Sequence, residues 1–301
     1  MNILQNFFHH LNIERKKSER RFQNRILSKM GKLSILALIA ICSISLAKAD
    51  WELVWEDQFD GEDLNRNYRF DQGCNGWGNN ELQCYTVNRP ENVRQENGML
   101  IITARREWWD DGQTTLPFTS TRLLTYSNFL YGKFEIRARL PKGKHLWPAF
   151  WMMPTYSEYG QWPRSGEIDI MEYRGQRPTN TLGTIHYGES KENKGQAGSP
   201  ETTFPYDFSQ DFHVFGLDWS PTKIMWIVDD RVYHEETLER NFWESVYTAN
   251  GQPFDKEFHI IINLAVGGMF FGDEPFDPIE ADGWEKPTFE IDWLRKWTWR
   301  M

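Results

Sequence analysis

Three carboxylates fall within six residues in the run Glu167-Ile168-Asp169-Ile170-Met171-Glu172. In an extended strand successive side chains alternate between two faces, so Glu167 and Asp169 share one face and Ile168 and Ile170 the other. Glu172, five residues after Glu167, then has the wrong parity. Three acids this close can be a solvated strand edge, a cation site or a catalytic group. The interleaved Ile168, Ile170 and Met171 put a buried core on the opposite face, which makes the strand a central one. Crowded carboxylates raise one another's pKa, an arrangement typical of sites where one acid stays protonated beside an ionised neighbour. Glycoside hydrolysis needs that division of labour: one carboxylate attacks and one carboxylic acid protonates the leaving oxygen. On one strand face, i and i+4 stand ~13 Å apart. Side chains leaning together on an inward-curving sheet bring this near the ~5–5.5 Å of a retaining pair. An i+5 partner joins them only if one residue, most naturally Met171, is squeezed out in a β-bulge. Asp169 would then sit between the two glutamates and tune one of them.

Elements able to position such a strand are written along most of the chain. Period-two or continuous apolar runs cover 99–107, 131–140, 167–173, 182–188, 213–220, 223–230, 258–266 and 289–297. Gly, Pro, Asn and Asp punctuate them. Helical periodicity is weak, with at most a short turn within 237–245, and there is no internal repeat. Many short strands with regular turn signals predict an all-β jelly-roll sandwich in one domain, residues 50–301.

Composition narrows the ligand. The 15 Trp, 11 Tyr and 20 Phe exceed what a core needs and suit a surface that stacks flat rings. Residues 50–301 carry 25 Lys and Arg against 41 Asp and Glu, a net of −16. That field repels a polyanion, which excludes nucleic acid as a partner. Residues 1–49 have the opposite balance. A basic stretch, the apolar run 33–47 and Ala-Lys-Ala before Asp50 make a secretory signal peptide, the run being short for a membrane span. Met30 would serve as a conventional start, leaving 1–29 as an upstream extension. A secreted monomer with no membrane attachment after signal removal is expected. Cys42 leaves with the signal, and Cys74 and Cys84 flank a Gly/Asn-rich loop as one disulfide. The alternative, a metal pair, has no His or further Cys nearby to complete it.

The hexad EIDIME resembles the signature of glycoside hydrolase family 16 in its bulged E-x-D-x-x-E form, carried by endo-β-1,3-glucanases (laminarinases). The likeness runs in order through 55–61 (WEDQFDG), 76–86 (GWGNNELQCYT), 98–105 (GMLIITAR), 132–154 (GKFEIRARLPKGKHLWPAFWMMP), 262–268 (INLAVGG) and 289–297 (FEIDWLRKW). It implies two curved antiparallel sheets with an open cleft, and endo-acting, retaining hydrolysis of β-1,3-glucan. Glu167 is implied as nucleophile, Glu172 as general acid/base and Asp169 as the assisting carboxylate. Trp147 and Trp151 match residues lining the subsites, while Asn80, Arg105 and His186 match positions that hydrogen-bond the sugar or the acid pair. Trp162 is a stacking residue by type alone. The plain alternatives are a core tryptophan, a surface ion pair for Arg105 and a structural histidine. No cofactor is implied for catalysis. A structural calcium is, held by Glu56, the Gly98 backbone and Asp292. Rival readings are a non-catalytic β-glucan recognition protein, a transglycosylase, and a hydrolase of another polymer. Sulfated galactans suit the charge poorly.

Overall fold

In the computed structural model, residues 51–61, 63–238 and 245–300 are described. The leader, and most of the turn expected within 237–245 (its residues 239–244), lie outside them. Two eight-stranded sheets face each other. One runs in the order Lys194–Gly198, Asn180–Gly188, Glu167–Glu172, Leu146–Pro154, Phe258–Val266, Arg122–Phe129, Tyr68–Phe70, with Thr202–Thr203 beside the second of these. This acid-bearing sheet is antiparallel throughout, with Glu167–Glu172 near its middle. The other sheet runs Arg231–Thr237, Lys223–Val228, His213–Trp219, Gly132–Arg139, Thr288–Trp299, Met99–Thr103, Val93–Glu96, with Trp51–Asp57 also on Thr288–Trp299. Residues 51–300 form one compact unit, the all-β sandwich that the turn and strand signals predict. Among the described residues no helix is long and apolar enough to cross a membrane.

The core lies between the sheets. Phe150, Met152, Ile168, Ile170, Met171, Ile185, Ile260 and Ile262 from the acid-bearing sheet meet Phe134, Ile136, Phe215, Leu217, Trp219, Trp226 and Leu294 from the other. Most expected strands appear within one or two residues of the predicted bounds. The run 99–107 divides. Met99–Thr103 joins the second sheet, the chain turns at Ala104, whose N–H donates to the Pro287 carbonyl, and Arg105–Asp110 enters a small third sheet with Thr115–Ser120 and Gln83–Tyr85.

That small sheet brings a loop over the end of Phe258–Val266. Cys74 and Cys84 are joined as a disulfide, closing the loop that carries Trp77, Asn79 and Glu81. Gly268, at φ 90°, follows the strand because a Cβ there would lie 2.8 Å from the Asn79 carbonyl oxygen. Phe150 fills the centre of the core with no exposed surface. Phe150→Ala is expected to cost about 3–5 kcal/mol, read by equilibrium denaturant unfolding.

Candidate active site

The bulge expected in the acidic hexad is present. Against Asn180–Gly188, Asp169 faces Thr184 and Glu172 faces Leu182, three steps matched by two. Against Leu146–Pro154, Met171 faces Phe150 and Asp169 faces Trp151, so the residue without a partner is Ile170. The extra residue is therefore Ile170 and not Met171, which keeps its place in the ladder. Both side chains are buried in the core. Two successive residues turned inward return Glu172 to the face of Glu167 and Asp169, and all three acids line one cavity.

Each acid is held differently. Trp162 Nε1 donates to Glu167 Oε2 at 2.5 Å, which fixes that carboxylate; Trp162 is thus a ligand of Glu167 more than a free stacking surface. Asp169 is buried, with His186 Nε2 3.2 Å from its Oδ2. One ligand atom each from Glu167, Asp169 and His186 lie within 4.8 Å of one another. Burial pushes the Asp169 carboxyl up, and the charge of Glu167 adds to this while His186 opposes it. For His186, burial acts to lower the pKa, but the hydrogen bond and charge of Asp169, then Glu167 and Glu172, outweigh it and raise it. Glu172 accepts from Trp147 Nε1 at 3.1 Å. Its surroundings push it up to about 8, burial first and the Asp169 charge second.

The tryptophans at 147 and 151 flank Ala149 on the same strand, and Ala149 sits opposite both Glu172 and Asn263. The small residue leaves space beside the acid. Trp151 Nε1 donates to Asn263 Oδ1 at 2.7 Å, and Asn263 Nδ2 donates to Tyr85 Oη at 3.1 Å. Arg122 lies over both the Trp151 and Trp77 rings, at 4.7 and 5.3 Å. Glu81 is buried, accepting from Gln83, Asn79 and Tyr85, and burial raises its pKa. This far wall, with Trp77, Glu81, Tyr85, Arg122 and Asn263, escapes strand patterning. Its members come from separate elements, and the quoted stretches 76–86 and 262–268 carry a sequence signal for all of it but Arg122.

A sequence model described as glycosyl hydrolases family 16 matches residues 80–295, a stretch that includes the whole acid-bearing strand. The chain belongs to this family. A glucan endo-1,3-beta-glucosidase of Cryptopygus antarcticus is 62% identical over 271 residues, covering 90% of this chain and 100% of that protein. The solved laminarinase of Rhodothermus marinus superposes with a TM-score of 0.72 at 39% identity, over 84% of this chain and 100% of that one. A beta-1,3-glucan-binding protein of Penaeus monodon is 31% identical over 320 residues, covering 81% of this chain and 84% of that protein.

Asn80 and Arg105, which the family resemblance implies, do not line the cavity that holds the three acids. Asn80 is exposed at φ 56°. The turn that closes with the Glu81 N–H on the Gly76 carbonyl sends Asn79 and Glu81 to the cavity and Asn80 away from it. Arg105 lies beyond the chain turn at Ala104, on the small sheet, with its Nε 3.3 Å from Glu107; Arg122 is the guanidinium in the cleft. The calcium set does not fit as placed. Glu56 Oε2 faces Arg295 at 3.3 Å and Asp292 is paired with Arg137, so a cation would have to displace two arginines. Gly98 follows Asn97 in the hairpin turn, both at positive φ, the Asn-Gly pairing that such turns favour.

Glu172 holds its proton in the fold to about pH 8, against an ordinary value of 4.5. Between those values the unfolded chain binds fewer protons, so this group's contribution to stability falls as pH rises. Glu172→Gln is expected to melt above the wild type at pH 8 and level with it at pH 4, measured by thermal unfolding at both.

Proposed function

We propose that this family 16 protein is a retaining endo-β-1,3-glucanase acting on laminarin-type glucan. The observation that carries the reading is the return of Glu172, kept protonated by burial, to the face of Glu167. On this reading Glu167 attacks the anomeric carbon while Glu172 gives its proton to the departing glycosidic oxygen. The bond to the leaving chain breaks as the bond to Glu167 forms. Glu172, now ionised, then takes a proton from water, whose oxygen displaces Glu167 and releases the sugar with its configuration retained. Asp169 and His186 form the charged neighbour that holds Glu167 and Glu172 in their separate roles, and Trp162 and Trp147 fix the two carboxyl rotamers.

Support for the β-1,3 linkage comes from the names of the relatives, and a neutral polymer suits a domain of net charge −16. The recognition reading is favoured by the Penaeus monodon relative. It is opposed by the presence of both glutamates, each with its own tryptophan donor. We also propose that the chain is exported, supported by the leader and by the Cys74–Cys84 disulfide, which suits an oxidising compartment, and that it works as a monomer.

The purified protein is expected to release short oligosaccharides with new reducing ends from laminarin, faster than from lichenan, agarose or xyloglucan. Glu167→Gln is expected to lower kcat by on the order of 10⁴ or more with the melting temperature kept. Proton NMR of the first product should show the β-anomer; an initial α-anomer would exclude the retaining route. Binding of laminarin without reducing-end release would favour the recognition protein.

A further inference from the structure

A β-bulge turns the peptide planes beside the extra residue away from the ladder, and buried carbonyls that lose a ladder partner need other donors. Two side-chain donors bracket Ile170, one on the carbonyl that precedes it and one on the carbonyl of the strand's last residue. The Asp169 carbonyl accepts from Trp226 Nε1 at 2.9 Å, and the Glu172 carbonyl accepts from Thr181 Oγ1 at 2.9 Å. These carbonyls belong to the residues that carry the assisting acid and the proton donor. Neither donor touches the cavity: Trp226 is fully buried on the opposite sheet and Thr181 is 1% exposed on the adjacent strand. Trp226 reaches the carbonyl through space that a side chain would otherwise fill. Gly183 stands opposite the bulge, and a Cβ on it would lie 2.0 Å from Trp226 Cδ1 and 2.1 Å from Nε1.

We propose that Trp226 and Thr181 are positioning residues that clamp the bulge from the core side and thereby set where the Asp169 and Glu172 carboxyls stand. The inference rests on the catalytic reading of those acids. Without the clamp the extra residue can migrate along the strand, as happens where register is weakly specified. Glu172 then loses its place beside the leaving oxygen while the sugar-binding walls remain. Gly183 is part of the device, because any larger residue evicts the indole.

Variants of the full chain test this with a built-in control. Thr181→Val removes one donor at nearly constant volume and Thr181→Ser keeps the hydroxyl; Trp226→Phe removes the other donor together with part of a fully buried ring. Thr125→Val removes a buried hydroxyl of the same sheet, which donates to the Ser127 carbonyl and accepts from the Ile260 N–H away from the bulge. On laminarin, Thr181→Val and Trp226→Phe are expected to lower kcat on the order of 10- to 100-fold, with KM within about twofold. Their basic pH limb should move down, and Thr181→Ser should restore both. Thr125→Val should melt lower with kcat and pH profile kept. The Glu172 carboxyl titration, followed by ¹³C NMR, should fall in Thr181→Val and stay put in Thr181→Ser and Thr125→Val. Full kcat and an unmoved titration in Thr181→Val would overturn the inference, as would an equal loss of kcat in Thr125→Val. If Trp226→Phe does not fold, the Thr181 pair decides. A wild type inactive on every glucan would overturn the catalytic reading, and the NMR titration would then still decide the clamp.

Discussion

One odd step in one strand governs the site. Glu172 stands five positions after Glu167, and an odd offset puts side chains on opposite faces. The fold converts it to four on the neighbouring strand by turning both Ile170 and Met171 into the core. Hydrophobic burial of those two side chains thus decides on which face a carboxyl emerges. The packing of the sandwich and the placement of its chemistry are the same event at this point. Overpacking or emptying the core beneath the hexad alters the site without touching any group in the cleft.

Around that step, the acids are separated by environment more than by identity. Glu167 is held by an indole N–H, Asp169 by an imidazole and Glu172 by a second indole. Desolvation is the largest cause that pushes up the two carboxyls flanking the bulge, Asp169 and Glu172, because burial of a carboxyl disfavours its charged form. The tryptophan content that in the sequence suggests stacking surfaces is spent partly on this. Trp162, Trp147, Trp151 and Trp226 each donate a ring N–H to a named acceptor. An aromatic ring with one polar handle can line an apolar wall and orient an acid together.

Much of this was legible in the residues themselves. Period-two runs give the sandwich, and the broken period in the hexad gives the bulge and the three acids. The assignment of the extra residue to Met171 misses by one, because parity alone cannot tell which of two apolar neighbours keeps its ladder contact. Arg105, taken from the resemblance alone, makes the surface ion pair that was its plain alternative, past a turn at Ala104 that the strand-like run through it conceals. Asn80 misleads because an Asn-Asn pair gives no sign of which member takes the left-handed conformation. Arg122, Asn263 and Glu81 come from different strands and loops. Their meeting depends on tertiary placement, to which local patterning is blind.

The stack at the acid end of the cleft has a directional meaning. Phe270 lies flat on Trp147, ring centroids 4.3 Å apart and planes 11° from parallel, and Arg174 covers the other face of Phe270 at 3.7 Å. One face of the Trp147 indole is therefore closed, and the ring is a one-sided platform beside Glu172. A polysaccharide chain has a head and a tail, and its pyranose units have two unlike faces. Because the same indole donates its N–H to Glu172, any flat ring that stacks on the open face of Trp147 stands at one fixed side of that carboxyl.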